Sequence, residues 1–565
     1  MNLRRSFAGL AALAAALTAT GAGAAGMPAM AASVSTDRPQ TVSWQACPTY
    51  SDEVLRAMGL RDSDIPGFRQ LWDRTECGTV RVPLDYNRPQ GRSITVAITR
   101  LKATDQARWL GSLALNPGGP GGSGYLMPIE VASMEQSAKL NERYDLIGFD
   151  PRGVGYSTKV NCPREEDPPP QPTGSVTEEQ AREVYAWVVR SNQVCAATDP
   201  EFLRNLTTGA IARDLDQVRK ALGEPKLNYF GVSWGSWLGP VYRNLFPGNS
   251  GRMWVDSVAP PDPRMDAFVA GRSMATARDF SRMAEWVARF DSTYGFGTTG
   301  EQVEAALAAL RAEFDAHPRH FTDVDMPIDG YAIAFLSAQP SLAWPMTARV
   351  LADLRDATGP TAPESLKELI GPPPGERPPP PDGLPEQGNR SANTAIFCNG
   401  DGGARDFDST WAAYQDRLER YPVTGVLSNF VPPCAGWPLP VERIRLHHGG
   451  GSLVLSGHRY ESVSVYEWTA DMRKAVGGTT FTVEDDVHGS ALMEPGCVTH
   501  ILRYFETGSA GARGCQGVPV PAGPDAEPRA AESAASAASA ARGFATSWPG
   551  GLPAFRGVDA LLGSR

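Results

Sequence analysis

Two stretches rich in β-branched residues, 79–86 (Thr-Val-Arg-Val-Pro-Leu-Asp-Tyr) and 93–102 (Ser-Ile-Thr-Val-Ala-Ile-Thr-Arg-Leu-Lys), flank an Asn-Arg-Pro-Gln-Gly turn and predict paired strands. Short apolar runs follow at 112–116 and 144–150, the pattern of buried parallel strands. Ile211, Leu215, Val218 and Leu222 then recur at helical spacing, and that helix stops at Gly223 with Pro225 just beyond. Residues 227–232 predict a strand, 235–246 a helix running up to Pro247, and 253–258 another strand. Strand and helix in alternation predict an α/β protein whose mostly parallel central sheet carries helices on both faces. The alternation breaks between about 262 and 445, where Val303, Leu307, Leu310 and Phe314 mark one helix and 371–385 is a stiff, proline-rich connector. The sheet pattern resumes at 452–457 and 479–483, so the middle reads as a large helical insertion within one sheet. The expected layout is a core at 40–261, an insertion at 262–445, the rest of the core at 446–517 and an Ala/Ser/Pro-rich, loose tail at 518–565. No internal repeat is visible.

The N-terminus adds a compartment. Arg4 and Arg5 precede an apolar run from Phe7 to about Thr18. Ala22-Gly23-Ala24 and Ala29-Met30-Ala31 both fit a small-residue cleavage rule. The run is shorter than the ~20 residues a membrane span needs, so residues 1–32 predict an export signal, and the protein is expected to be secreted. No later segment has an apolar run long enough to span, so no membrane association is expected once the signal is removed. Disulfides persist in the compartment such a signal leads to. Neighbours in sequence close the shortest loops, which pairs Cys47 with Cys77, Cys162 with Cys195, Cys398 with Cys434 and Cys497 with Cys515. None of the cysteines lies in a CxxC pair with a partner pair, so no zinc or other metal is expected. With 42% hydrophobic and 21% charged residues, wholesale disorder is excluded. A net charge of −10 without a basic block argues against nucleic acid as a partner.

The chemistry concentrates at Gly231-Val232-Ser233-Trp234-Gly235-Ser236, placed between a predicted strand and a predicted helix. A G-x-S-x-G there is a nucleophile elbow, a turn too tight for side chains two residues either side of the serine. Upstream, Asn116-Pro-Gly-Gly-Pro-Gly-Gly-Ser-Gly124 follows another predicted strand. It lacks the G-x-x-x-x-G-K-[ST] spacing of a phosphate loop, and no cofactor is expected. Its better reading is an oxyanion hole, with the Gly119 N–H joining that of Trp234.

A serine needs a base. Of seven histidines, His488 alone follows a late strand in a short loop, which meets the Ser, acid, His order of α/β-hydrolases; His447-His448 precedes a strand. The acid should lie just past the strand ending at Gly457, where Glu461 is the first carboxylate; Asp256 and Asp262 are the alternatives.

Together these residues resemble the secreted tripeptidyl-aminopeptidase-like serine peptidases of actinobacteria, α/β-hydrolases related to prolyl aminopeptidases. The matching pieces are Glu76-Cys-Gly-Thr-Val-Arg-Val-Pro-Leu-Asp-Tyr86, the glycine-rich loop 116–124, Phe149-Asp-Pro-Arg-Gly-Val-Gly-Tyr-Ser157, the elbow, and Asp486-Val-His-Gly489. They span about 45 to 515. Where the family has an Asp followed by Pro-Val-Thr-Pro, this chain has Glu461-Ser-Val-Ser-Val465. The resemblance implies an α/β-hydrolase fold with a helical cap. It also implies action on peptides with free N-termini, releasing short peptides, often tripeptides; a monomer is expected. The elbow itself is equally compatible with an esterase or lipase. A binding protein that kept the fold is the third reading, supported by the altered acid loop. A serine at the elbow disfavours epoxide hydrolase and dehalogenase chemistry.

Overall fold

The computed structural model describes residues 41–163, 169, 175–371 and 379–526; the expected export signal at 1–32 and the tail from 527 onward lie outside the described residues. Among these residues the strands are β1 (Ser43–Gln45), β2 (Thr75–Pro83), β3 (Ser93–Leu101), β4 (Ser112–Asn116), β5 (Asp145–Phe149), β6 (Leu227–Val232), β7 (Ser250–Asp256), β8 (Ser452–His458), β9 (Thr479–Val483) and β10 (Gly514–Cys515). They form one sheet in the order β1-β2-β3-β5-β4-β6-β7-β8-β9-β10. The pairs from β1 to β5 are antiparallel, and every pair from β5 to β10 is parallel.

The central strands read as apolar runs because both their faces are covered. Every residue of β4 and β5 is buried. Leu113 and Leu115 join the core packed under helices Met127–Ser133 and Pro495–Thr507. Ala114, Tyr229, Met253 and Val255 join the opposite core under helices Thr208–Ala221 and Gly235–Leu245. Ile211, Leu215 and Val218 supply the buried stripe of the first of these, each contributing on the order of 1.5–3 kcal/mol by burial. Thr207 caps its start by accepting from Ala210 N at 3.1 Å.

The chain between β7 and β8 is helical, as its pattern predicted, and Trp286, Leu307, Phe314, Trp344 and Leu351 give it a core of its own. Its later part behaves differently. Ile396, Trp437 and Leu439 pack into the sheet's own core. Helix Glu178–Thr198, which precedes the elbow in sequence, packs through Val184 and Val188 against Phe407, Tyr414 and Phe430. The start of the tail is also tied down: Val518 is buried, and Pro521 O accepts from Trp286 Nε1 at 2.8 Å.

The eight cysteines form the disulfides Cys47–Cys77, Cys162–Cys195, Cys398–Cys434 and Cys497–Cys515. Among the described residues no helix is long and apolar enough to cross a membrane.

Candidate active site

Ser233 stands at the end of β6 with φ 83°, the left-handed region that a non-glycine residue rarely enters. Its amide donates to Asp256 O at 3.0 Å, and its carbonyl accepts from Ser236 N at 2.9 Å and Ser236 Oγ at 2.5 Å. The flanking glycines are required by space. A Cβ at Gly231 would lie 2.5 Å from the Tyr229 ring, and one at Gly235 would lie 2.7 Å from Asn116 Oδ1. Helix Gly235–Leu245 starts immediately after Trp234, so its positive end faces the serine.

The glycine-rich loop after β4 approaches from the other side, Gly118 lying against Val232 and Ser233. Gly119, Ser233 and Trp234 line one cleft together with Trp237, Phe268, Ile396 and Phe397. Among the described residues its lining holds no ionisable side chain.

His488 lies in the loop after β9, and its Nδ1 is hydrogen-bonded to Glu461 Oε1. Glu461 is fully buried. Its Oε1 also accepts from Ser464 N at 2.7 Å and its Oε2 from Ser257 Oγ at 2.9 Å. Ser257 Oγ in turn accepts from Gly489 N at 2.8 Å. Gly489 packs on Val232, the residue before Ser233, so the histidine loop rests on the elbow. With both oxygens engaged by donors, the Glu461 carboxylate fixes the imidazole with its Nδ1–H turned inward.

The model for the alpha/beta hydrolase fold matches residues 112–334. Tripeptidyl aminopeptidase of Streptomyces coelicolor is 32% identical over 80% of this chain and 84% of its own length. The chain belongs to the tripeptidyl-aminopeptidase-like family of α/β-hydrolases. Serine protease Hip1 of Mycobacterium tuberculosis is 32% identical over 40% of each chain. Carboxylesterase B of the same organism is 38% identical over 26% of this chain and 28% of its own. This family member is therefore a serine hydrolase with the α/β-hydrolase fold.

The other residues weighed in the sequence lie elsewhere. Asp262 is exposed and pairs with Arg264 at 2.9 Å. His447 and His448 are exposed, bonded to Asn244 and to the Lys474 carbonyl. Asp256 is buried at the end of β7, but its carboxylate faces His458, not His488. The Phe149–Ser157 motif is scaffolding. Arg152 makes a two-pronged contact to Asp214, 2.7 Å on each side. Asp150 accepts from Ser123 Oγ at 2.5 Å and Tyr156 N at 2.8 Å, and burial pushes its carboxyl up to about 6.

Two features escaped the sequence reading. The chain after the proline-rich connector returns to hold the glycine-rich loop. Ser123 N donates to Gln387 O, Asn389 N to Gly121 O, and Asn393 Nδ2 to Pro120 O, at 2.9, 2.8 and 2.7 Å. Its only sequence signal is an amide-rich stretch, 387–393, that nothing links to residues some 270 positions earlier. The second is a buried ion cluster, Asp256–His458–Asp485, at the strand ends.

Proposed function

We propose that this protein is a secreted exopeptidase that releases short peptides, with tripeptides foremost, from free N-termini. The observation that carries the reading is the bond from buried Glu461 to His488, in a loop whose Gly489 packs on the turn that holds Ser233 in a left-handed conformation. Ser233 Oγ attacks the scissile carbonyl while His488 takes its proton. The Gly119 and Trp234 amides hold the oxyanion, each donor worth about 3–4 kcal/mol. The C–N bond then breaks and His488 returns the proton to the leaving amine. Water, deprotonated by the same ring, attacks the acyl-enzyme, the ester C–O bond breaks, and the ring returns its proton to Ser233 Oγ as the peptide acid leaves. Glu461 stabilises the imidazolium in both steps. The uncharged cleft lining favours an apolar side chain beside the scissile bond. The tripeptide preference is supported by the named activity of the Streptomyces coelicolor relative. Secretion is supported by the N-terminal pattern and the four disulfides.

The test compares chromogenic amides of single residues and tripeptides, with free and acylated N-termini, for wild type and Ser233→Ala. Fast turnover of free tripeptide amides, lost in Ser233→Ala, is expected. Equal turnover of blocked substrates removes the exopeptidase reading, and cleavage of acyl esters alone makes the protein an esterase. N-terminal sequencing of protein recovered from culture medium tests removal of residues 1–32.

A further inference from the structure

Three neighbouring strand ends meet in a charged cluster that the proposed chemistry does not use. His458, the last residue of β8, places Nδ1 2.6 Å from Asp485 Oδ1 and Nε2 3.1 Å from Asp256 Oδ1, and none of the three side chains has exposed surface. Ionised carboxylates only accept, so a ring bonded to two of them presents two N–H groups and is an imidazolium. Burial alone would pull the ring down, but Asp256 and Asp485 together hold it well above the usual histidine range. Buried ions are costly unless fully hydrogen-bonded, and here both carboxylates have further donors. Asp485 Oδ2 accepts from Ser490 Oγ at 2.6 Å and Val518 N at 2.9 Å. Asp256 accepts from Ser456 Oγ and, at 3.3 Å, from Ala491 N.

The same residues grip the site through their backbones. Asp256 O accepts from Ser233 N, and Asp485 O accepts from Tyr460 N, each at 3.0 Å. Arg459 N donates to Val483 O at 2.9 Å, so the turn leading into Glu461 is stitched to β9. His458 stands three residues before Glu461, and Asp485 three before His488. Ser490, two residues past His488, is bonded back to Asp485. One ring thus ties the roots of both loops to the residue that anchors the elbow.

We infer that His458, clasped by Asp256 and Asp485, is a positioning residue that sets where the Glu461–His488 couple stands over Ser233. It touches no reacting atom and works through the two loops it joins. This rests on the serine-hydrolase mechanism proposed above.

The experiment measures kcat, KM and the rate of Ser233 labelling by a fluorophosphonate for wild type, His458→Gln and Asp485→Asn. Glutamine has one donor nitrogen where the ring has two on opposite edges, so it cannot bridge both carboxylates, and asparagine removes one charge at nearly constant shape. Displacement of a catalytic pair by a fraction of an ångström predicts kcat and the labelling rate down about tenfold to a hundredfold, with KM moved less than about twofold. Folded variants whose kcat and labelling stay within about twofold of wild type, whatever their melting temperature, overturn the inference. Should either variant fail to fold, Ser490→Ala, which removes one donor from Asp485 and leaves the ring paired, decides on the same readouts. A wild type that neither cleaves amides nor reacts with the fluorophosphonate overturns the mechanism beneath, and the inference with it.

Discussion

Glu461→Gln separates charge from geometry at the candidate site. The carboxylate is fully buried and receives the His488 ring N–H, the Ser464 amide at 2.7 Å and the Ser257 hydroxyl at 2.9 Å. Two of those donors converge on Oε1, so a glutamine turns its oxygen there and its NH₂ toward Ser257. The imidazole keeps its tautomer. What disappears is the negative charge facing the imidazolium that forms in the transition state. A hydrogen bond to a charged group is worth about 1.5–3 kcal/mol against about 0.5–1.5 for a neutral one. A unit charge pair at about 4 Å and an effective dielectric near 20 is worth about 4 kcal/mol. These bracket a loss of about 1–4 kcal/mol, roughly fivefold to a thousandfold in kcat. Loss of the tautomer would cost about 10⁴, and loss of the nucleophile about 10⁶. The assay is kcat on a tripeptide chromogenic amide for wild type, Glu461→Gln and Ser233→Ala. A kcat within about threefold of wild type would show that another group orients the ring. A loss as deep as that of Ser233→Ala would show that the geometry, not the charge, had gone.

Asp262→Asn, an exposed change away from the couple, should leave kcat within about twofold; a hundredfold loss would restore Asp262 as the acid. Asp279 is buried beside Asp486 with Arg282 bonded to both, and burial, then Asp486, pushes its carboxyl up to about 8. Its folded value lies above its unfolded value of about 4, so the folded state alone keeps the proton between those limits and stability falls as pH rises across that window. Asp279→Asn should therefore flatten the decline of melting temperature between about pH 5 and 8, and an unchanged slope by scanning fluorimetry counts against it. Replacing Cys398 and Cys434 by alanine opens a loop of sequence separation 36. That should cost about 4 kcal/mol, read from urea midpoints; a midpoint equal to wild type refutes it.

The parts of the fold that were legible are those whose information is local. The elbow is a strand, a serine and a helix in one run of residues. Its glycines are explained by Tyr229 and Asn116, which stand within van der Waals distance of where side chains would be. The central strands were legible because both faces are buried, which leaves no polar alternation. β1 and β10 were not, being three and two residues long. The choice among Glu461, Asp256 and Asp262 could not be made along the chain, because all three lie at or just past the end of a strand. It turns on which carboxylate faces which imidazole, and Asp256 faces His458. The strap at 387–393 and the packing of helix Glu178–Thr198 on Phe407 and Tyr414 join segments more than 200 residues apart. Periodicity reports only which face of an element is buried, never against what.

The proposed mechanism requires a histidine from the loop after β9 to reach the serine that follows β6. Those strands are three places apart in the sheet, about 14 Å at the usual spacing, so the loop after β9 must lean back across β8 and β7. Its contacts trace that path: Gly489 N to Ser257 Oγ at 2.8 Å, Ala491 N to Asp256 Oδ2 at 3.3 Å, and Gly489 against Val232. At that last contact the backbone has φ 71°, and an added Cβ would come within 2.8 Å of Val232 Cγ1. Gly489→Ala is therefore both strained and crowded, and the loop relieves this by lifting away from the elbow. Glu461 remains able to follow the ring, since Ser464 holds it from its own loop. The expected result is kcat down about tenfold to a hundredfold, with smaller losses in melting temperature than the disulfide deletion gives. Adding Val232→Ala, which clears the space the methyl needs, should recover part of the loss. A double variant no better than Gly489→Ala alone would mean that the seat on Val232 does not set the approach of His488 to Ser233.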